Sequence, residues 1–131
     1  RHQLAVHSPV TPRALVRGLG AAVQGGEGAR TRVAGRLLAR WGAREVHLTD
    51  SGTSALVLAL RAAAGAGGTV ALPAFCCAAL VAAAVAARVR VRLYDVDPVT
   101  RGPDVASLER ALARGADVLL VAHLFGYAVD M

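Results

Sequence analysis

Glu45-Val46-His47-Leu48-Thr49-Asp50-Ser51-Gly52-Thr53-Ser54-Ala55-Leu56-Val57-Leu58-Ala59-Leu60 is the stretch on which the fold turns. Its first five residues alternate polar and apolar, which predicts a strand. Its last six are apolar throughout, as in a helix buried on every side. Between them, Ser51-Gly52-Thr53-Ser54 sets a permissive glycine and three hydroxyls at the helix start. The backbone N–H groups of a helix N-terminus, aided by the helix dipole, make an anion site, and phosphate is its natural guest. In a parallel α/β sheet the carboxyl end of a strand is also where ligands usually bind. No Gly-Lys-Ser/Thr follows, so this is not a nucleotide P-loop, and Gly-x-Gly-x-x-Gly is missing, which sets aside a Rossmann fingerprint. The alternative is that Ser51 and Thr53 only cap the helix.

Downstream, Gly65 to Gly68 ends the helix, and Thr69 to Leu72 reads as a short strand stopped by Pro73. Cys76 to Ala87 is a second all-apolar helix, and Val89 to Asp95 alternates as a strand does. Asp97-Pro98 with Arg101-Gly102-Pro103 forms a turn region, and Asp104 caps a helix running through Arg114. Asp117 to Ala122 is the last strand and leads into His123-Leu124-Phe125-Gly126. Upstream, a helix from Thr11 to Val23 starts on a Thr-Pro pair and is broken by Gly25, Gly26 and Gly28. A second runs from Ala29 to Trp41, with Val33, Leu37, Leu38 and Trp41 on one stripe. Strands alternating with helices predict an α/β fold with a parallel sheet of βαβ units. The two all-apolar helices call for cover from more of the chain or from a second subunit.

The 131 residues suffice for one domain with a core, but not for two. At 55% apolar the chain is not a disordered one. Alanine fills 29 positions while Ile, Asn and Lys do not occur, a bias that suggests GC-rich coding. All 15 basic residues are arginines, and the net charge is +6. The charge alone motivates a nucleic-acid-binding module, but the arginines are scattered and no base-stacking platform or binding motif accompanies them. Arg32, Arg36 and Arg40 recur at helical spacing and read as a solvated face. Cys76 and Cys77 are adjacent, which excludes ordinary disulfide geometry, and they lack the spacing of a zinc knuckle. The start of the chain carries no signal-peptide pattern. The apolar run from Ala74 to Ala87 is shorter than the ~20 residues of a membrane span. The expectation is a cytoplasmic protein with no nucleic-acid or membrane partner, cut at both ends.

Four segments in series carry a resemblance. They are Ser51-Gly52-Thr53-Ser54-Ala55-Leu56, Val70-Ala71-Leu72-Pro73-Ala74-Phe75, Tyr94-Asp95-Val96-Asp97-Pro98, and His123-Leu124-Phe125-Gly126 with Asp130-Met131. From about Glu45 to Met131, and more loosely from Pro12, the chain resembles the DegT/DnrJ/EryC1/StrS aminotransferases, a branch of the fold-type-I pyridoxal-phosphate enzymes. The resemblance implies the N-terminal portion of a three-layer, aspartate aminotransferase-like large domain with a mostly parallel sheet. Residues 1–44 would be an N-terminal helical segment, and residues 45–131 the first part of the cofactor-binding domain. It also implies transfer of an amino group from glutamate or glutamine to a keto group on a nucleotide-linked sugar. The cofactor is pyridoxal 5′-phosphate, and the site lies at a homodimer interface.

By position, Gly52, Thr53 and Ser54 would hold the cofactor phosphate. Cys77 falls where many relatives place an aromatic that stacks on the pyridine ring, and a thiol can still pack against a π face; a plain buried helix cysteine is the alternative. His123, at a strand end near the expected cofactor, would help shape the site or serve structure alone. Asp95 and Asp97 correspond to the family's acidic turn and are read as turn and capping residues. Such enzymes hold the cofactor covalently through a lysine, and this chain contains none. The Asp-x-Ala aspartate for the pyridine nitrogen would fall beyond Met131, and Asp130 belongs to an earlier segment. Two expectations follow: a fragment of an active enzyme, or a non-catalytic family member acting as a binding or partner subunit.

Overall fold

The structure is a computed structural model that describes residues 10–23, 25–126 and 128–129. The chain divides into two compact units, Arg1–Thr49 and Asp50–Met131.

Among its described residues the first unit holds two helices, α1 (Pro12–Val23) and α2 (Glu27–Trp41). Thr11 opens α1, its Oγ1 accepting from the Ala14 N–H at 3.2 Å. Gly25 and Gly26 separate the helices, whereas Gly28, expected in the break, lies inside α2. Gly42 ends α2 at φ 58°, the left-handed turn that glycine adopts without strain, and its N–H reaches the Leu38 carbonyl. Arg32, Arg36 and Arg40 are all exposed, as a solvated stripe requires. The strand expected over Glu45–Thr49 does not form. Alternation sorts side chains onto two faces, but a strand exists only where a neighbour takes its backbone groups, and residues 45–49 carry no ladder.

The second unit runs α3 (Gly52–Ala64), β1 (Thr69–Pro73), α4 (Ala78–Ala87), β2 (Arg90–Tyr94), α5 (Val105–Ala113) and β3 (Val118–Leu119), then a 3₁₀ turn at Leu124–Gly126. The three strands are parallel, in the order β2-β1-β3, with Val70 opposite both Val91 and Val118. Each crossover carries a helix, as parallel neighbours require.

β1 is buried along its whole length, which is why Thr69 to Pro73 reads as an unbroken apolar run. Val70 and Leu72 face α3 and α4, packing with Leu60, Ala83, Ala84 and Ala87. Ala71 faces the other way and packs with Tyr94 and with Ala111 of α5. Full burial of a valine or leucine side chain stabilises by roughly 2 kcal/mol, so this one strand anchors both layers.

β3 is shorter than the expected Asp117–Ala122. The Ala74 N–H points to the Tyr94 carbonyl of β2, so the position before it, Pro73, faces β3. Proline has no N–H to offer there, and the β1–β3 ladder ends. It is flanked by Asp117 N–H to the Thr69 carbonyl at 2.8 Å before β3 and by Leu120 N–H to the Ala71 carbonyl at 3.0 Å after it.

Within this chain α3 and α4 are not buried on every side, so the cover expected for them would have to come from more of the chain or a second subunit. α3 buries only Leu60, and α4 only Ala83, Ala84 and Ala87. A helix lying on one sheet face covers the stripe turned to it and no more. Leu58, Val81 and Val85 therefore stay 48%, 44% and 71% exposed.

Candidate functional site

The Gly65–Gly68 turn joins the end of α3 to the start of β1, so the amino end of α3 lies toward the carboxyl end of that strand. Arg61 Nη2 donates to the Ala86 carbonyl at 2.9 Å, linking the later turns of α3 and α4. With Leu60 packed against Ala83, Ala84 and Ala87, the two helices run side by side and in the same direction. Both amino ends therefore meet the same edge of the sheet.

Ser51 is the N-cap of α3, held extended at φ −152° and ψ 160°. Its Oγ accepts from the Ser54 N–H at 3.1 Å and lies 3.0 Å from Ser54 Oγ. The N–H groups of Gly52 and Thr53, first in the helix, have no acceptor within it. Gly52 takes an ordinary φ, so the conformational reason for a glycine does not apply. Nor does a steric one, since a Cβ there would meet nothing within 4 Å; the approach to the helix end is open. Thr53 and Ser54 are half-buried. Backbone N–H groups, two hydroxyls and open space make a donor set that fits a phosphate.

Asp50 lies just ahead of the cap. The Ser54 hydroxyl is its main donor, with its own N–H, the Ser51 N–H and the Ser51 hydroxyl assisting; these bonds hold it below the usual carboxylate range.

Cys77 is the N-cap residue of α4, and its exposed thiol makes no capping bond. Cys76 beside it is half-buried. Tyr94, at the carboxyl end of β2, is buried and donates its hydroxyl to the Leu120 carbonyl at 2.9 Å. Burial, and secondarily Cys76, pushes its phenol above the ordinary range. The order β2-β1-β3 reverses the path of the chain across the sheet between β1 and β3, and open α/β sheets bind ligands at such a reversal. Cys77 follows β1 and His123 follows β3, so these two residues flank it. His123 is exposed, and its Nδ1 accepts from the Val129 N–H at 3.0 Å, fastening the turn that carries it. Asp130 and Met131 lie outside the described residues.

The acidic turn is built as expected. Asp97 Oδ1 accepts from the Val99 and Thr100 N–H groups at 2.7 and 2.8 Å, which holds that carboxyl below its usual range. The Asp95 carbonyl accepts from the Asp104 N–H at 2.8 Å, and Asp104 caps α5 through the Ser107 N–H. Sequence reasoning missed two polar groups that fix this edge. Ser107, buried, takes the Asp95 N–H at 3.0 Å, and the carboxyl of Asp50, beside the cap, is held below the usual range. Asp50 was legible as an acid beside a helix cap; Ser107 sat unmarked inside a helix.

Among the described residues no group of three His, Cys, Asp or Glu side chains could hold a metal ion, and no helix is long and apolar enough to cross a membrane. No protein of curated function matches the chain. The family described as the DegT/DnrJ/EryC1/StrS aminotransferase family matches over residues 25–131. A chain with this match, and with a parallel α/β sheet whose carboxyl edge gathers the amino ends of two helices, belongs to the DegT/DnrJ/EryC1/StrS aminotransferase family.

Proposed function

We propose that the chain is the N-terminal part of a pyridoxal 5′-phosphate-dependent aminotransferase that moves an amino group from glutamate or glutamine to a keto group on a nucleotide-linked sugar. The observation that carries this reading is the open amino end of α3, Ser51-Gly52-Thr53-Ser54, at the carboxyl edge of a parallel sheet. Residues 45–131 are then the first part of a three-layer, aspartate aminotransferase-like large domain, preceded by the helical segment 1–44.

In this reading the Gly52 and Thr53 N–H groups and the Thr53 and Ser54 hydroxyls hold the cofactor phosphate. The thiol of Cys77 would pack against the ring, and His123 would help shape the site on the β3 side. The cofactor, when bound, supplies an electron sink for bonds broken at the amino carbon. The 131 residues contain no lysine, so the group that holds the cofactor covalently belongs to a longer product. The exposed apolar side chains of α3 and α4, Leu58, Val81 and Val85, support a homodimer, with further chain or a second subunit over them.

The test is to express the reading frame extended past Met131 with pyridoxal 5′-phosphate. The expected result is a visible absorbance band that disappears when one lysine of the extension is replaced, together with glutamate-dependent amination of a nucleotide-linked keto sugar. A stop codon at this point, or a longer product that takes up no cofactor, would overturn the catalytic reading and leave a non-catalytic binding or partner subunit.

A further inference from the structure

The net charge of the chain is not shared between its two units. Residues 1–49 carry eight arginines against Glu27 and Glu45, which leaves +6. Residues 50–131 carry seven arginines against seven carboxylates, which leaves zero. The whole positive excess therefore sits on the first unit, and such an asymmetry points to an anionic partner. Every arginine from Arg13 to Arg44 is exposed.

The apolar side chains of the same unit decide which kind of partner. On α1, Leu15, Val16, Leu19 and Val23 recur at helical spacing on one face, and Arg13 and Arg17 fall on the other side. The helix buries no residue, and Leu19 and Val23 are 70% and 88% exposed. At the end of α2, Trp41 is 73% exposed, with the Arg40 guanidinium 5.8 Å from its ring centroid. A nucleic acid would use the arginines and leave the leucine stripe in water. A second copy offers no net negative unit, since its own units are +6 and neutral. An anionic bilayer uses both features. Apolar side chains enter the headgroup boundary, arginines stay at the phosphates, and tryptophan favours that depth.

We propose that the first unit is a peripheral anchor that lays α1 on an anionic phospholipid surface, its leucine stripe inserted and its arginines at the headgroup phosphates. So short a stripe binds weakly alone, and the surrounding charge supplies the second attraction. The contact lies on one leaflet and needs no spanning helix. It departs from the expectation of no membrane partner, which rests on the lack of a spanning run. It also goes beyond the aminotransferase reading, because no residue of the Ser51–Ser54 cap takes part.

The test mixes the 131-residue chain with vesicles of equimolar phosphatidylglycerol and phosphatidylcholine, and with vesicles of phosphatidylcholine alone. Binding is read by co-sedimentation and by the blue shift of the chain's one tryptophan, Trp41. The variants are Leu15→Gln/Leu19→Gln, Arg13→Glu/Arg17→Glu and, as an equal change of charge in the second unit, Arg92→Glu/Arg110→Glu. Because α1 buries no residue, neither α1 variant disturbs a core; circular dichroism and light scattering of each check folding and oligomeric state. Wild type and the second-unit variant are expected to bind the anionic vesicles alike and to leave phosphatidylcholine unbound. Each α1 variant should lose about tenfold or more in affinity. No binding to anionic vesicles, or equal binding to both kinds, overturns the proposal. An equal loss in the second-unit variant does so too, since overall charge would then explain the effect. If the leucine variant binds vesicles as wild type does and a single-stranded RNA oligonucleotide competes, the charge serves nucleic acid and the anchor is overturned. If that variant changes the oligomeric state and not vesicle binding, a second copy covers the stripe, and the anchor is overturned again.

Discussion

Tyr94 Oη donates to the Leu120 carbonyl at 2.9 Å, so the last residue of β2 is tied to the residue that follows β3, across the end of β1. The ring crosses the sheet on the face where Ala71, the smallest side chain able to mark a strand position, leaves it room. Tyr94→Phe keeps the packing and deletes the bond, leaving a backbone carbonyl short of a donor. The expected loss is about 1–2 kcal/mol in urea unfolding, with faster amide exchange at residues 121–126. Unchanged stability and exchange would show that the bond does not hold the edge.

Gly68 is required for space. A Cβ at this position would overlap the Ala64 carbonyl oxygen in the turn from α3 to β1. Gly68→Ala is expected to destabilise by about 3 kcal/mol. Gly35→Ala is the control, since Gly35 lies within α2 with nothing within 4 Å of a built Cβ. It should be neutral or stabilising by about 0.5–1 kcal/mol. Thermal melts of the pair decide the matter, and two similar melting points would refute the steric argument.

The acidic turn makes stability depend on pH. Asp97 is held below its ordinary value by the Thr100 and Val99 N–H groups. A carboxylate depressed by folding stabilises fully above its unfolded pKa, about 3.9, and that stability is lost as pH falls through the folded value. Unfolding should therefore become easier as the pH drops below about 4, and Asp97→Asn should flatten that acid limb. Asp50 is depressed as well, so the limb should flatten further in the double variant. Parallel acid titrations of wild type and variants would contradict the assignment.

Cys77 offers a test of the ring position. Cys77→Phe would supply a stacking face, worth about 0.5–1.5 kcal/mol beyond burial. Pyridoxal 5′-phosphate should bind roughly two- to tenfold more tightly while inorganic phosphate is unaffected. If both ligands change alike, Cys77 is not beside the ring.

Much of the second unit was legible in the sequence because its signals are local. Asp104 caps α5, Ser51 caps α3, and the apolar run of β1 bounded by Gly68 and Pro73 needs no distant partner to be recognised. Glu45–Thr49 was misread because alternation is necessary for a strand but pairing makes one. The length of β3 was misread for a related reason: Asp117 to Ala122 is uniformly suited to a strand, and what shortens it is the missing N–H of Pro73 in its neighbour. At the candidate site the cap residues could be read from spacing. The contact between the Ser51 and Ser54 hydroxyls could not, since it depends on how the side chains at the cap fold back.

The central position of β1 also orders events during synthesis. This strand leaves the ribosome before either neighbour exists, and at about 5–20 residues per second it waits seconds for β3. In that interval Val70, Ala71 and Leu72, destined for complete burial, form a β-prone segment able to pair with another nascent chain. The same Pro73 that stops the ladder to β3 also limits such mispairing, because a proline breaks an aggregating strand where it stands. A substitution that let β3 grow longer would thus lengthen the sheet of the finished protein and weaken the safeguard of the unfinished one.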